Sequence, residues 1–170
     1  MNKNMPSRAL VVCLGNICRS PMAEGILRQH IQSMGLRIKV DSAGTSGHHQ
    51  NEPPDLRAQQ EMRRRGMDIS SQRSRPLVRK DFDRFDVILV MDHSNLEDAL
   101  ALAGPRTEWR NKVGLFLEDS EVPDPYYGGA SGFAQVHDLV DSAARRWVEQ
   151  WKEDHVSGSS AGQSALGSAP

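Results

Sequence analysis

The sequence predicts an α/β fold, a single three-layer domain with helices on both faces of a central four-stranded parallel sheet. Three observations carry this. Short apolar runs alternate along the chain with helical patterns, the order that builds a parallel sheet from βαβ units. The first run, Ala9-Leu10-Val11-Val12, is apolar without alternation, as a strand covered on both faces must be. It leads into a glycine-containing loop, Cys13-Leu14-Gly15-Asn16-Ile17-Cys18-Arg19-Ser20, and open α/β sheets place their ligands at such strand C-termini, at the point where strand order reverses.

Taken in order, Arg8 to Val12 is the first predicted strand. From Ser20 to Met34 the residues Met22, Ala23, Ile26, Leu27, His30, Ile31 and Met34 recur at helical spacing. Pro21 suits the first turn of that helix and Gly35 stops it. Arg37 to Ser42 alternates around Ile38 and Val40 and predicts a second strand, followed by a loop over 43–54 rich in Gly, Ser, His and Pro. Asp55 to Arg65 predicts a charged helix that Gly66 ends. Phe85 to Met91 is the third strand, and Ser94 to Ala103 a short helix that Asp92 or His93 can cap. Val113 to Leu117 is the fourth strand. Gly132 to Asp154 is an amphipathic helix carrying Phe133, Val136, Leu139, Val140, Ala143, Trp147, Val148 and Trp151. From Ser157 to Pro170 the chain is mostly Ser, Gly and Ala, a composition that predicts a disordered tail. The expected organisation is an N-terminal extension (1–7), one domain (8–155) and that tail (156–170), with no internal repeat.

A chain of 170 residues is long enough to bury one substantial core. Its net charge is −1 and it has no basic stripe, which argues against nucleic acid as a partner. No apolar run approaches the ~20 residues of a membrane helix, and the run after the N-terminus is too short for a signal sequence, so no membrane partner is expected. The two cysteines, Cys13 and Cys18, lie in one loop. That argues against a disulfide scaffold and for a reducing, cytoplasmic setting, although a pair so close in a compact loop can close reversibly under oxidation.

The pattern Cys-x5-Arg-Ser, placed after a buried strand and before a helix, is suited to holding a tetrahedral dianion over a thiolate. Loop N–H groups that lead into a helix N-terminus form an anion-binding nest. The same positive end favours a thiolate over a thiol. Arg19 adds a planar fork that clamps two phosphate oxygens. Gly15 lets the backbone turn where a side chain would obstruct it. The bland alternative, a core cysteine beside a surface arginine, leaves this context unexplained.

The stretch Cys13-Leu14-Gly15-Asn16-Ile17-Cys18-Arg19-Ser20-Pro21-Met22-Ala23-Glu24 resembles the phosphate-binding loop of the low-molecular-weight protein tyrosine phosphatases. Further matches follow in order: Asp41-Ser42-Ala43-Gly44-Thr45, Pro53-Pro54-Asp55, Met91-Asp92, Ser94-Asn95-Leu96 and Asp124-Pro125-Tyr126. The resemblance covers roughly residues 8 to 153 and implies hydrolysis of phosphotyrosine and aryl phosphates through a cysteinyl-phosphate on Cys13. It implies phosphate binding by Arg19 and by the loop residues Leu14, Gly15, Asn16, Ile17, Cys18 and Ser20, tighter in the transition state. Asp124 is then the general acid for the phenolate and the general base for water. Read from the residues alone, Asp124 in Pro-Asp-Pro is more readily a turn aspartate, Ser20 has the alternative of a helix cap, and Asn16 is equally a left-handed turn residue. Cys18 reads as a packing residue, with a protective disulfide to Cys13 as the sharper alternative. Asp41, Ser42 and Asp92 resemble residues that brace the loop.

The resemblance also implies that Tyr126 and Tyr127 line the substrate cleft, although two adjacent tyrosines on an extended loop cannot both face it. Many family members carry a bulky aromatic on the opposite wall; here Gly47-His48-His49-Gln50-Asn51 fills that region, with His48 at or near the wall position. A metal held by His48 and His49 lacks supporting ligand spacing, and no cofactor is expected. The partners implied are a tyrosine-phosphorylated protein, a tyrosine kinase among the candidates, and phosphate as product inhibitor.

Three rivals remain on this reading. Arsenate reductase chemistry on the same loop needs further cysteines to take over the oxidised sulfur, and none follows Cys18. A protein-arginine phosphatase resembling this family carries threonine where this chain has Ile17. A catalytically silent phosphopeptide-binding module would be expected to lose Cys13, Arg19 or Asp124, and all three are present.

Overall fold

The computed structural model describes residues 4–167, with side chains described as far as 158. Strands β1 (Arg8–Cys13), β2 (Lys39–Gly44), β3 (Val87–Val90) and β4 (Val113–Leu115) form one parallel sheet in the order β2-β1-β3-β4. The chain leaves β1 toward β2 and later returns to β1's other side with β3. That reversal puts the C-terminal end of β1, where Cys13 stands, at the switch point of the sheet.

Helices α1 (Arg19–Ser33), α2 (Leu56–Arg64), α3 (Asp81–Arg84), α4 (His93–Ala103), α5 (Thr107–Arg110) and α6 (Ala130–Gly167) complete the three layers. Period-two alternation in β1 feeds two cores at once. Ala9 and Val11 join Leu89 under α1 and α6, against Met22, Ile26, Leu27, Phe133, Val136, Val140 and Val148. Leu10 and Val12 join Ile88 and Val90 on the other face, against Phe82, Ala99, Ala103 and Trp109. All four β1 side chains are fully buried. At about 1.5–3 kcal/mol for each of the larger ones, their burial anchors the strand that carries Cys13.

Several boundaries differ from the sequence expectation. β2 begins at Lys39 rather than Arg37, though Ile38 still packs into the core. β4 stops at Leu115, and the chain bends there while Phe116 and Leu117 remain buried. The one-turn helices α3 and α5 had no periodic signal, being too short to show one. Part of the expected N-terminal extension belongs to the domain: Pro6 is buried and Met5 packs on the α1 face, while residues 1–3 lie outside the described residues. At the other end, the segment expected to be an unstructured tail from 156 carries α6 onward to Gly167, and the last three residues lie outside the described residues. Extending an established helix costs far less than nucleating one, so α6 continues past its last core anchor, Trp151.

Candidate active site

The loop between β1 and α1 is held by four of its carbonyls, each engaged by a backbone N–H of a neighbouring segment or of α1. Cys13 O accepts from Thr45 N at 2.9 Å and Leu14 O from Ser46 N at 2.9 Å. Ile17 O accepts from Asp55 N at 2.8 Å, and Cys18 O from Met22 N at 3.2 Å. The N–H edge of the loop is left facing inward, and Asn16 N lies 3.2 Å from Cys13 Sγ. Ser20 Oγ lies 3.0 Å from the same sulfur. The Ser20 oxygen already accepts from Asn16 Nδ2 at 2.8 Å, so its own proton is directed to sulfur. α1 starts at Arg19 with no side-chain cap, and Ser20 serves the thiol rather than the helix end.

Asn16 is both a left-handed turn residue, with φ 57°, and a brace. Its Nδ2 also donates to Ser42 Oγ at 2.9 Å, and its Oδ1 accepts from Arg75 N at 3.0 Å. Arg75 is in turn held by Asp41 and by the buried Asp81. The turn belongs to Asn16, not to Gly15, whose φ is not positive. Gly15 serves space: a Cβ there would meet His49 Cδ2 at 3.1 Å.

Arg19 is 2% exposed, and one edge of its guanidinium is anchored. Its Nη1 donates to Asp92 Oδ2 at 2.7 Å and to Val122 O at 3.0 Å, while Nη2 stands 3.6 Å from Asp124 Oδ2. Burial works against its charge, but Cys13, Asp92 and Asp124 outweigh it and hold the guanidinium more firmly protonated than usual. Asp92 caps α4 with its other oxygen, accepting from Asn95 N at 2.8 Å, and so fixes the direction of Arg19. Burial, reinforced by nearby Asp55, pushes the Cys18 thiol far up, so Cys18 is a neutral packing group. Cys13 and Cys18 are both free and buried.

These residues line a cleft of about 240 Å³ bounded by Cys13, Ile17, Arg19, Asp124, His48 and Tyr126, with Leu14 and Cys18 also on its surface. Both tyrosines reach it, contrary to the expectation for an extended loop. The chain turns here, with Gly128 N donating to Pro125 O at 3.0 Å, and the two rings meet edge to face at 4.9 Å. Tyr127 is 94% exposed and forms the rim. His49 lines the cleft beside His48 and was missed in the sequence; its Nδ1 pairs with Glu52 Oε2 at 2.6 Å. Two residues further on, Asn51 is in the left-handed region, with φ 57°. Gly44, Arg75 and Arg57 are further neighbours of the site whose importance spacing alone did not reveal. Among the described residues, no group of three His, Cys, Asp or Glu side chains is placed to hold a metal.

A parallel sheet that delivers a Cys-x5-Arg-Ser loop to its switch point, facing a carboxylate across a small cleft, is the frame of a phosphomonoester hydrolase. Residues 8–157 match the family described as low molecular weight phosphotyrosine protein phosphatase. The chain is 40% identical over 143 residues to the low molecular weight protein-tyrosine-phosphatase YfkJ of Bacillus subtilis, a match covering 81% of this chain and 90% of that one. It is similar in structure to a protein tyrosine phosphatase from Entamoeba histolytica, with a TM-score of 0.80, 36% identity, and 86% of this chain and 97% of that chain covered. It is also similar to the YwlE arginine phosphatase, with a TM-score of 0.79, 27% identity, and 86% and 97% covered. The chain belongs to the low molecular weight phosphotyrosine protein phosphatase family, a family of hydrolases.

Proposed function

We propose that the protein hydrolyses phosphotyrosine in proteins, and aryl phosphates generally, through a cysteinyl-phosphate on Cys13. The observation that carries the reading is the Cys13 sulfur with two donors on it, Asn16 N at 3.2 Å and Ser20 Oγ at 3.0 Å, in the cleft that Arg19 and Asp124 also line. Donors so placed stabilise negative charge on sulfur before attack and again when sulfur leaves. The thiolate attacks phosphorus, the P–O bond to the tyrosine breaks, and Asp124 delivers its proton to the departing phenolate oxygen. A water then attacks the cysteinyl-phosphate, Asp124 takes its proton, the S–P bond breaks, and inorganic phosphate leaves. Arg19, directed by Asp92, and the loop N–H groups share the equatorial oxygens throughout.

The substrate on this reading is a tyrosine-phosphorylated protein, a tyrosine kinase being one such protein, and phosphate competes with it as product. The two free, buried thiols support a reducing, cytoplasmic compartment. Among the described residues no helix is long and apolar enough to cross a membrane.

The test is hydrolysis of para-nitrophenyl phosphate between about pH 4.5 and 8, in the presence of a chelator. Wild type turns over, Cys13→Ser is inactive, and Asp124→Ala is slowed by ~10²–10⁴, the size of a lost general acid. Rapid acid quench of the Asp124→Ala variant traps phosphate on Cys13. A wild type that binds phosphate without turning over is a binding module, and this reading is then wrong.

A further inference from the structure

The segment 122–129, which carries Asp124, has neither strand nor helix of its own. Its first residue is fixed, since Val122 N donates to Met91 O at 2.8 Å and Val122 O accepts from Arg19. Beyond Asp124 the loop is tied to the body through the side chain of Arg57, in the first turn of α2. Arg57 Nη2 donates to Tyr126 O at 2.9 Å and Nη1 to Gly128 O at 3.1 Å. The same guanidinium lies over the Phe133 ring at 4.8 Å from its centroid, and over Tyr126 at 5.7 Å.

The other side of this guanidinium is gripped by Asp55. Arg57 Nε donates to Asp55 Oδ1 and Nη2 to Asp55 Oδ2, each at 3.0 Å. Asp55 also caps α2, accepting from Arg57 N at 2.8 Å, and its own N–H donates to Ile17 O in the phosphate-binding loop. At the far end Tyr126 N donates to Asp124 Oδ1 at 3.1 Å. An unbroken path therefore runs from Ile17 through Asp55, Arg57 and Tyr126 to the Asp124 carboxylate.

We infer that Arg57 is a positioning residue for proton transfer, the strut that sets Asp124 at a fixed place above the phosphate-binding loop. The inference rests on the reading of Asp124 as general acid. A general acid has to sit within hydrogen-bond reach of the leaving oxygen, and a misplacement of about 1 Å costs on the order of 10²-fold. Only a planar fork of donors binds a carboxylate along one edge and two carbonyls along the other, so lysine at this position supplies the charge without the geometry. Burial raises the Asp55 carboxyl, but its bonds to Arg57 outweigh that and hold it below the usual carboxylate range. The strut is thus intact across the pH range of the assay.

Leaving-group dependence separates this role from general support of the fold. Protonation matters greatly when the departing oxygen is basic, as in phenyl phosphate, and little when it is not, as in 2,4-dinitrophenyl phosphate. In kcat/KM, which reports the step up to phosphoenzyme, Arg57→Ala should lose about 10–100-fold on phenyl phosphate and under about threefold on the dinitrophenyl ester. Arg57→Lys should show the same selective loss at reduced size, and it carries the test if the alanine variant does not fold in a thermal melt. In the Asp124→Ala background, Arg57→Ala should remove less than about threefold more from phenyl phosphate, because residues acting as one unit are not additive. If Asp124→Ala shows the leaving-group selectivity and both Arg57 variants lose equally on the two substrates, or lose nothing, Arg57 does not position the acid. If Asp124→Ala itself shows no selectivity, the general-acid reading fails and the role given to Arg57 falls with it.

Discussion

Ile17 is the cleft side chain on which the proposed preference for an aryl phosphate ester over phosphoarginine, a phosphoramidate, rests. It is 8% exposed and lines the cleft beside Cys13 and Arg19, so an incoming leaving group meets a branched apolar wall. A phenyl ring gains apolar contact there, whereas a guanidinium loses water against a side chain that offers it no acceptor. The similarity in structure to an arginine phosphatase shows that the fold alone does not settle this choice, and the proposed function assigns it to the loop residue. Ile17→Thr replaces part of that wall with a hydroxyl. Its kcat/KM for an aryl phosphate should fall, and that for phosphoarginine rise, so that their ratio moves by about tenfold. Measured side by side on the two substrates, an unchanged ratio would remove Ile17 from the account of specificity.

Among the elements, the end of β2 does as much for the phosphate-binding loop as α1 does. Gly44 pairs with Cys13 in the parallel register, and the next two residues donate to Cys13 O and Leu14 O. A Cβ on Gly44 would lie 2.8 Å from Leu14 O and 3.1 Å from both Asn16 N and Gly15 C, all backbone atoms that cannot swing aside. Gly44→Ala should cost about 1–3 kcal/mol in urea unfolding, as overpacking does. It should also weaken phosphate binding more than substitutions elsewhere of equal cost to stability. A variant with wild-type stability and phosphate affinity would show that the loop does not lean on β2. β1, α1 and α6 were legible in the sequence because each carries a long apolar pattern, and the thiol loop because it follows such a strand. α3 and α5 were not, since one turn shows no period. The shared histidine wall was hidden because it lies in a loop with no periodic pattern, and the Arg57 strut because its carbonyl partners lie 69 and 71 residues away. Pairings over that distance leave no local trace.

Across the whole molecule, stability rests on two apolar cores, and Glu24 is one of the few charged side chains buried beside them. It projects from α1 and is 3% exposed, with Arg28 Nη1 at 2.9 Å, and Ser42, Asp41 and Arg75 nearby. Burial pushes its carboxyl up from 4.5 to about 7, more than Arg28, itself largely exposed, pulls it down. Because the folded carboxyl holds its proton more tightly than the unfolded one, the folded state binds more protons between these values. Its contribution to stability is therefore complete below about pH 4.5 and is lost as pH rises through about 7. Over the span from pH 5 to pH 8 this amounts to about 2 kcal/mol. Glu24→Gln keeps the shape and removes the titration, while every other ionisable group titrates in both proteins. Urea unfolding at pH 5 and pH 8 should therefore show a loss of stability toward pH 8 that is about 2 kcal/mol smaller in Glu24→Gln than in wild type. Equal losses would mean that Glu24 is already ionised at pH 5, which requires water or Arg28 to solvate it far better than its place beneath α1 allows.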